Sequence, residues 1–265
     1  MDIFSIMRTT RIFAAACAAL VLLAGCRPRE MRTATASDEG GLAGMNGTET
    51  GLSYDYSVEY VTGGLPAEVR DRINASIIRG LLYDEAAEGM DVPAACARWA
   101  EDCKAGYLAD IGDLAGEMDE DAGWMYNWSY SVSGAFAGAC EARGWRSYRS
   151  SASEYTGGAH GMYGDTFYVF DLRDGRTVRE EDFLVPGCAE ELSALMTDRI
   201  LAVLEATDAA DALLGSPYPN GNFFVDGQGV TWHFNPYEIA PYATGALEAH
   251  LSWEELKPFL KKDRI

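Results

Sequence analysis

Between residues 53 and 258 the spacing of apolar positions changes several times, and each spacing predicts an element. SYDYSVEY alternates, which puts Tyr54, Tyr56, Val58 and Tyr60 on one face of a strand. In LPAEVRDRINASIIRGLLY, Val69, Ile73, Ile77 and Leu81 recur every four residues, predicting a helix with Pro66 in its opening turn. PAACARWAEDCKAGYL reads as a second helix. YNWSYSVSGAF then sets Tyr126, Trp128, Tyr130, Val132 and Phe136 against Asn127 and three serines, the pattern of an antiparallel sheet wet on one side. GWRSYRSSASEYTGG is its expected partner, after a turn around residues 138–144. DTFYVFDL, residues 165–172, is apolar on both faces and predicts a more central strand, ended by the turn RDGR.

Further on, Leu192, Leu195, Met196, Ile200, Val203 and Leu204 trace one face of the longest expected helix. NFFVDGQGVTWHF predicts two short strands joined through Asp226 and Gly227, with Val230, Trp232 and Phe234 facing one way and His233 the other. SWEE opens a last helix with capping-box spacing between Ser252 and Glu255, and Pro258 should end or bend it. The expected order is β, α, α, β, β, β, α, β, β, β, α, with hairpin links and no internal repeat. That order predicts the α+β class, an antiparallel sheet packed with helices in one compact unit.

The N-terminus follows other rules. Arg8 and Arg11 precede a 13-residue apolar run, Ile12 to Ala24, which is short of the roughly 20 residues of a spanning helix and reads as an export signal. It ends in LAGC, residues 23–26, which resembles the bacterial lipobox. Residues 1–25 are therefore expected to leave as a lipoprotein signal peptide, with Cys26 acylated; acyl chains hold a domain at a membrane through about 0.8 kcal/mol per buried methylene. Residues 26–52, rich in Gly, Thr and Ala without a hydrophobic period, are expected to form a flexible tether. Residues 53–160 and 161–265 then make N- and C-terminal α+β halves. The expected location is the cell envelope; Arg27 after the cysteine suits outer-membrane sorting, with periplasmic and surface faces both open.

Charge narrows the partners. The formal charge is −20, and −21 once Asp2, Arg8 and Arg11 leave with the signal. Such a surface disfavours nucleic acid and anionic membrane surfaces and would attract a cationic protein, although acidity also serves solubility alone. Membrane contact is expected through the lipid anchor only.

After export four cysteines remain, Cys96, Cys103, Cys140 and Cys188. A helix separates Cys96 from Cys103 by about 10.5 Å, beyond the roughly 7 Å limit for disulfide Cα atoms. The crossed pairings and free thiols stay open. The absence of CxxC argues against zinc-ribbon and thioredoxin-type sites. The acidic run at Glu117, Asp119, Glu120 and Asp121 lacks the ligand series of an EF-hand and reads as a solvated loop.

Four phrases fall in a recognisable order: YTGGAHG at 155–161, YVFDLRDGR at 168–176, EEDFL at 180–184 and NPYEIAPYATG at 235–245. Together, over roughly residues 53–258, they resemble a bacterial extracytoplasmic domain family of unknown function. That family is shared by the ectodomain of the lysozyme-sensing anti-sigma factor and the non-catalytic region of a peptidoglycan deacetylase. The resemblance implies a wall-facing binding module. No transmembrane and cytoplasmic parts like those of the first relative, and no deacetylase domain like that of the second, are expected here.

Chemistry-bearing patterns are sparse. His160, His233 and His250 are scattered without HExxH or HxH, and no GxSxG occurs, so no catalytic residue, metal ligand or cofactor is expected. Composition with 41 acidic residues neither supports nor excludes a carboxylate glycosidase. Gly157 and Gly158 are expected to turn with positive φ, with Tyr155 anchoring the strand end and His160 bonding the turn. Tyr155, His160, Tyr237 and Tyr242 are the candidate ligand contacts, Tyr237 and Tyr242 offering either core cover or stacking faces for a sugar. Three functions remain open: a lipid-anchored binding module for peptidoglycan fragments or a cationic protein such as lysozyme, a peptidoglycan-acting enzyme with unidentified carboxylates, and a structural lipoprotein.

Overall fold

The computed structural model describes residues 30–44, 51–82, 87, 89–114 and 127–262. The export signal, Cys26, Tyr126 and the acidic run 117–121 lie outside them. The elements are β1 (Arg32–Leu42), β2 (Leu52–Gly63), α1 (Ala67–Leu82), α2 (Val92–Leu114), β3 (Trp128–Cys140), β4 (Trp145–Tyr155) and β5 (Met162–Asp171). There follow α3 (Glu180–Phe183), α4 (Ala189–Glu205), β6 (Phe223–Val225), β7 (Gly229–Phe234), β8 (Leu247–Ser252) and α5 (Trp253–Leu256). A five-stranded sheet runs in the order β1-β2-β3-β4-β5, and a three-stranded sheet in the order β6-β7-β8. Together they form a single α+β domain.

Helices α1 and α2 cover one face of the large sheet. The expected stripe of α1, Val69, Ile73, Ile77 and Leu81, is buried with Val58, Val132, Tyr148 and Phe170. In β2, Tyr54 and Val58 are buried while Ser53, Asp55 and Ser57 are exposed, as alternation requires. On the opposite side, the far ends of β3–β5 meet the small sheet, and α3 and α4 close a second core around Trp145, Phe183, Met196 and Trp232. The capping box at Ser252 and Glu255 forms, and Pro258 starts a 3-10 turn.

Five expectations are corrected. Residues 32–42 are no flexible tether; they form β1, antiparallel to β2. An edge strand with both faces largely in solvent needs only backbone pairing, so no hydrophobic period marks it. The large sheet is mixed, because β2 and β3 are parallel. The α1–α2 pair carries the chain back across the sheet, as a parallel pair demands. β5 lies at the sheet edge, not centrally; its two apolar faces are covered by α1–α2 residues and by the small sheet. Val203 in α4 is exposed, whereas Leu192, Met196, Ile200 and Leu204 are buried. The division at residues 160/161 falls inside the β4–β5 hairpin, so both sequence halves share one sheet.

The open edge of β5 is closed by side chains. Asn235 Oδ1 accepts from Asp165 N–H at 2.7 Å and its Nδ2 donates to Asp165 C=O at 3.0 Å. Asn222 repeats this one step along, accepting from Phe167 N–H at 2.8 Å and donating to Asp165 C=O at 2.9 Å. Two amides thus do the work of a sixth strand and fix the loops that bear them. On the other side of the sheet, Asn74 of α1 pairs both Val61 N–H and C=O in the same way.

Candidate functional site

The β4–β5 turn and the loop between β7 and β8 meet at the clamped edge. Gly157 and Gly158 have φ of 94° and 93°, which residues with a Cβ rarely adopt. Tyr155 O–H donates to Gly158 C=O at 3.1 Å, so this tyrosine closes the turn as expected. His160 Nδ1 lies 2.9 Å from Gly161 C=O, which assigns its proton to Nδ1, and Tyr242 O–H donates to the same carbonyl at 2.8 Å.

Three of the four sequence-predicted contacts therefore come together. The His160 ring stacks on Tyr242 with centroids 4.1 Å apart and 18° between planes. Tyr237 stands 5.5 Å from Tyr242, with its hydroxyl 3.4 Å from His160 Nε2. Tyr163, which the pattern did not single out, meets Tyr242 edge-on at 5.7 Å. Tyr155 serves the turn rather than this group. Tyr237 is 56% exposed and Tyr163 43%, so the rings form an exposed aromatic ridge rather than core cover. Tyr237 also holds φ of +73°, a left-handed conformation that costs a non-glycine residue about 1–3 kcal/mol.

Behind the ridge lies a polar network that sequence reasoning missed. Asp165 accepts from Arg149 Nη2 at 2.6 Å and from Ser151 Oγ at 2.5 Å. Burial alone would raise the Asp165 carboxyl, but these two bonds and the Arg149 charge outweigh it and hold it below the ordinary carboxylate range. Buried His233 contacts Glu248 Oε1 through Nδ1 at 3.0 Å, while its Nε2 stands 3.7 Å from Asp165 Oδ2 with no hydrogen-bond partner among the described residues. The residues come from β4, β5, β7 and β8, which no local pattern connects. Only the isolated polar position His233 in an apolar strand hinted at it.

The arrangement contains no activated nucleophile. Ser151 donates to Asp165 and not to a histidine. Burial pushes the Cys96 thiol up to about 12 and the Cys103 thiol to about 11, so both are neutral at physiological pH. All four cysteines are free, so neither crossed pairing occurs in this structure. Glu180 is raised by burial, but Trp232 Nε1–H and Gly221 N–H both bond it, at 2.7 and 3.0 Å, and tie α3 to β7. No group of three or more His, Cys, Asp or Glu side chains is arranged for a metal among the described residues. No helix among them is long and apolar enough to cross a membrane.

On the helical face, a groove of about 500 Å³ opens between α1, α2 and strands β3–β5, with Met162 and Tyr163 at one end. It falls in the size range of small-ligand sites. Tyr163 thus borders both groove and ridge.

Residues 181–254, from α3 to α5, match the family model described as "Protein of unknown function (DUF3298)". A DUF3298 family member from Bacteroides fragilis has a similar structure, with a TM-score of 0.80 at 21% identity over 89% of this chain and 96% of that one. Another, from Pseudomonas aeruginosa, gives 0.61 at 19% identity over 90% and 98%. At these identities the likeness is one of fold. No curated protein shows significant similarity to the chain. Tyr237 and Tyr242 lie within the matched segment, and Tyr155, His160 and Tyr163 precede it.

Proposed function

We propose, from the premise that residues 181–254 of this chain belong to the DUF3298 family, that the protein is a lipid-anchored, non-catalytic binding module of the bacterial cell envelope. Its ligand is a peptidoglycan fragment, met by the aromatic ridge. The observation that carries the reading is the convergence of His160, Tyr163, Tyr237 and Tyr242, from two loops and a strand end, into one exposed set of rings. Aromatic faces give a sugar ring apolar contact, while the hydroxyls and imidazole offer polar partners. The exported leader and lipobox-like LAGC support the anchor at Cys26. The same reading extends the kinship to the ectodomain of the lysozyme-sensing anti-sigma factor and to the peptidoglycan deacetylase region.

Calorimetric titration with a wall disaccharide tests it. Tyr242→Ala should weaken binding at least about tenfold, a loss of about 1.4 kcal/mol, with the melting temperature barely changed. Equal binding by the variant, or none by the wild type, contradicts the reading. Acylation is tested separately: Cys26→Ala should abolish incorporation of labelled fatty acid and release the protein from membranes.

The charge of −20 favours a second reading, docking of a cationic wall-acting protein such as a lysozyme. That complex should weaken steeply with salt, and the disaccharide complex should not. An enzymatic role lacks a nucleophile and base in contact among the described residues.

A further inference from the structure

The groove under α1 and α2 arises from a change in side-chain size along the sheet. Positions of β4 that face the helices run Tyr148, Ser150, Ala152, Glu154, so the aromatic layer of Phe136, Tyr148 and Phe170 stops at Ser150. Gly80 and Gly106 on the helices and Gly164 on β5 add no bulk beyond that point, and space remains. Trp99, Leu81 and Val132 give it an apolar and aromatic side, and Tyr130, Ser150 and Ser153 add polar lining. Trp99 is held in place by edge-on contacts with Tyr54 and Tyr56 at 6.5 and 6.3 Å, and it faces the groove with Leu81 and Val132.

The charges at its rim have one sign. Glu154 and Asp102 line the groove, and no lysine, arginine or histidine is among its lining residues. Asp102 shares its charge with Arg98 one helical turn away, at 3.5 Å, which leaves Glu154 as the main electrostatic anchor. Glu154 stands opposite Tyr130 across the β3–β4 pair, and Tyr130 is kept protonated, its pKa raised by burial first and then by Glu154. The Cys103 thiol is neutral, so the interior carries no charge of its own.

We infer that this groove is a binding site for a small organic cation, an amine borne on an apolar or aromatic body. The body lies against Trp99, Leu81 and Val132, and the ammonium group is met by Glu154, with Asp102 assisting. A carboxylate ligand would find no positive partner there. The inference stands apart from the glycan reading, since Trp99, Leu81, Val132, Glu154 and Asp102 take no part in the ridge, and only Tyr163 borders both.

Phenethylamine, its neutral analogue phenethyl alcohol and its anionic counterpart 3-phenylpropionate form a test series of similar shape. In an NMR titration of the purified protein at about millimolar ligand, the range expected for fragments of this size, phenethylamine should shift groove resonances, including the Trp99 indole. The alcohol should bind about tenfold more weakly. Glu154→Gln should bring the amine down to the level of the alcohol. Gly106→Trp should abolish both, because Gly106 lines the groove and a Cβ there meets nothing within 4 Å, so the indole has room to start into it. Gly106→Ala should bind as the wild type does and controls for the helix. Tyr242→Ala should leave the amine unaffected. Binding of the carboxylate equal to that of the amine overturns the inference. So does an unchanged response in folded Glu154→Gln, or the absence of any groove shift.

Discussion

The helical face of the large sheet and its β5 edge are held by different forces, and the difference explains where the molecule keeps its recognition surfaces. On the helical face, adhesion is apolar, through Ile73, Ile77, Val58, Tyr148 and Phe170. Along the β5 edge and beneath the ridge it is polar and directional, through Asn222, Asn235, Asp165, Arg149 and His233. Apolar packing stabilises through area and tolerates small shifts, whereas bidentate amides define one register. The first therefore supplies stability and leaves a groove where it thins. The second supplies placement and fixes the loops that carry His160, Tyr237 and Tyr242.

Emptying the apolar face should have the largest effect. Phe170→Ala removes a ring that is 0% exposed and should cost about 3–5 kcal/mol in chemical denaturation. Asn235→Ala strips the β5 edge of one clamp and leaves Asp165 N–H without its partner. It should cost about 1–3 kcal/mol, and it should also reduce disaccharide affinity by freeing the loop, which Phe170→Ala in its folded fraction should not. Glu180 sharpens the distinction between bond and charge. Glu180→Ala leaves the indole N–H of fully buried Trp232 unbonded and should cost about 1–3 kcal/mol. Glu180→Gln keeps the accepting oxygen, removes the cost of a buried charge and should be neutral or slightly stabilising at pH 7.

Acid titration separates the same groups. Asp165 and Asp171 have lowered carboxyls: in each, burial opposes the charge, and bonds from Arg149 with Ser151, or from Arg173, prevail. Glu255 is lowered to about 2, mainly by the Ser252 hydroxyl and N–H, with Arg199 contributing. Their contributions are fully present above about pH 4 and are lost as pH falls through the lowered values. Glu180, raised by burial, has the opposite sign and gains stability as pH falls through its raised value. Melting temperature should therefore drop below about pH 4; Glu180→Gln should remove the gain that Glu180 protonation brings at higher pH, between its raised value and the ordinary carboxylate range, and leave the drop itself unchanged. The smallest effect is expected at Gly106, in the exposed middle of α2, where Gly106→Ala should stabilise by about 0.5–1 kcal/mol.

Much of this architecture was legible because period and burial coincide. The four-residue stripe of α1, the alternation of β2 and β3, and the Ser252–Glu255 capping box each follow from contacts within one element. β1 was hidden since an edge strand of small polar residues buries almost nothing. The parallel pairing of β2 and β3, and the edge position of β5, depend on which strands meet, and residues such as Tyr168 and Val169 carry the same pattern at an edge covered on both faces as in a centre. His160, Tyr237 and Tyr242 could be chosen from their glycine- and proline-rich loops, but Tyr163 could not, because its neighbour Tyr242 is 79 residues away. The clamps of Asn222 and Asn235 are tertiary for the same reason: each sits in a turn-like segment, and its partner strand lies far back in the chain.

On the proposed reading, the clamped edge presents a ready-made aromatic surface to a sugar. Its most direct test is a backbone and aromatic-side-chain NMR titration of the purified protein with N-acetylglucosaminyl-N-acetylmuramic acid. Saturable shifts are expected at His160, Tyr163, Tyr237 and Tyr242, with little change at Trp99 in the groove. Shifts centred elsewhere, or an unperturbed ridge at saturating disaccharide, would contradict it.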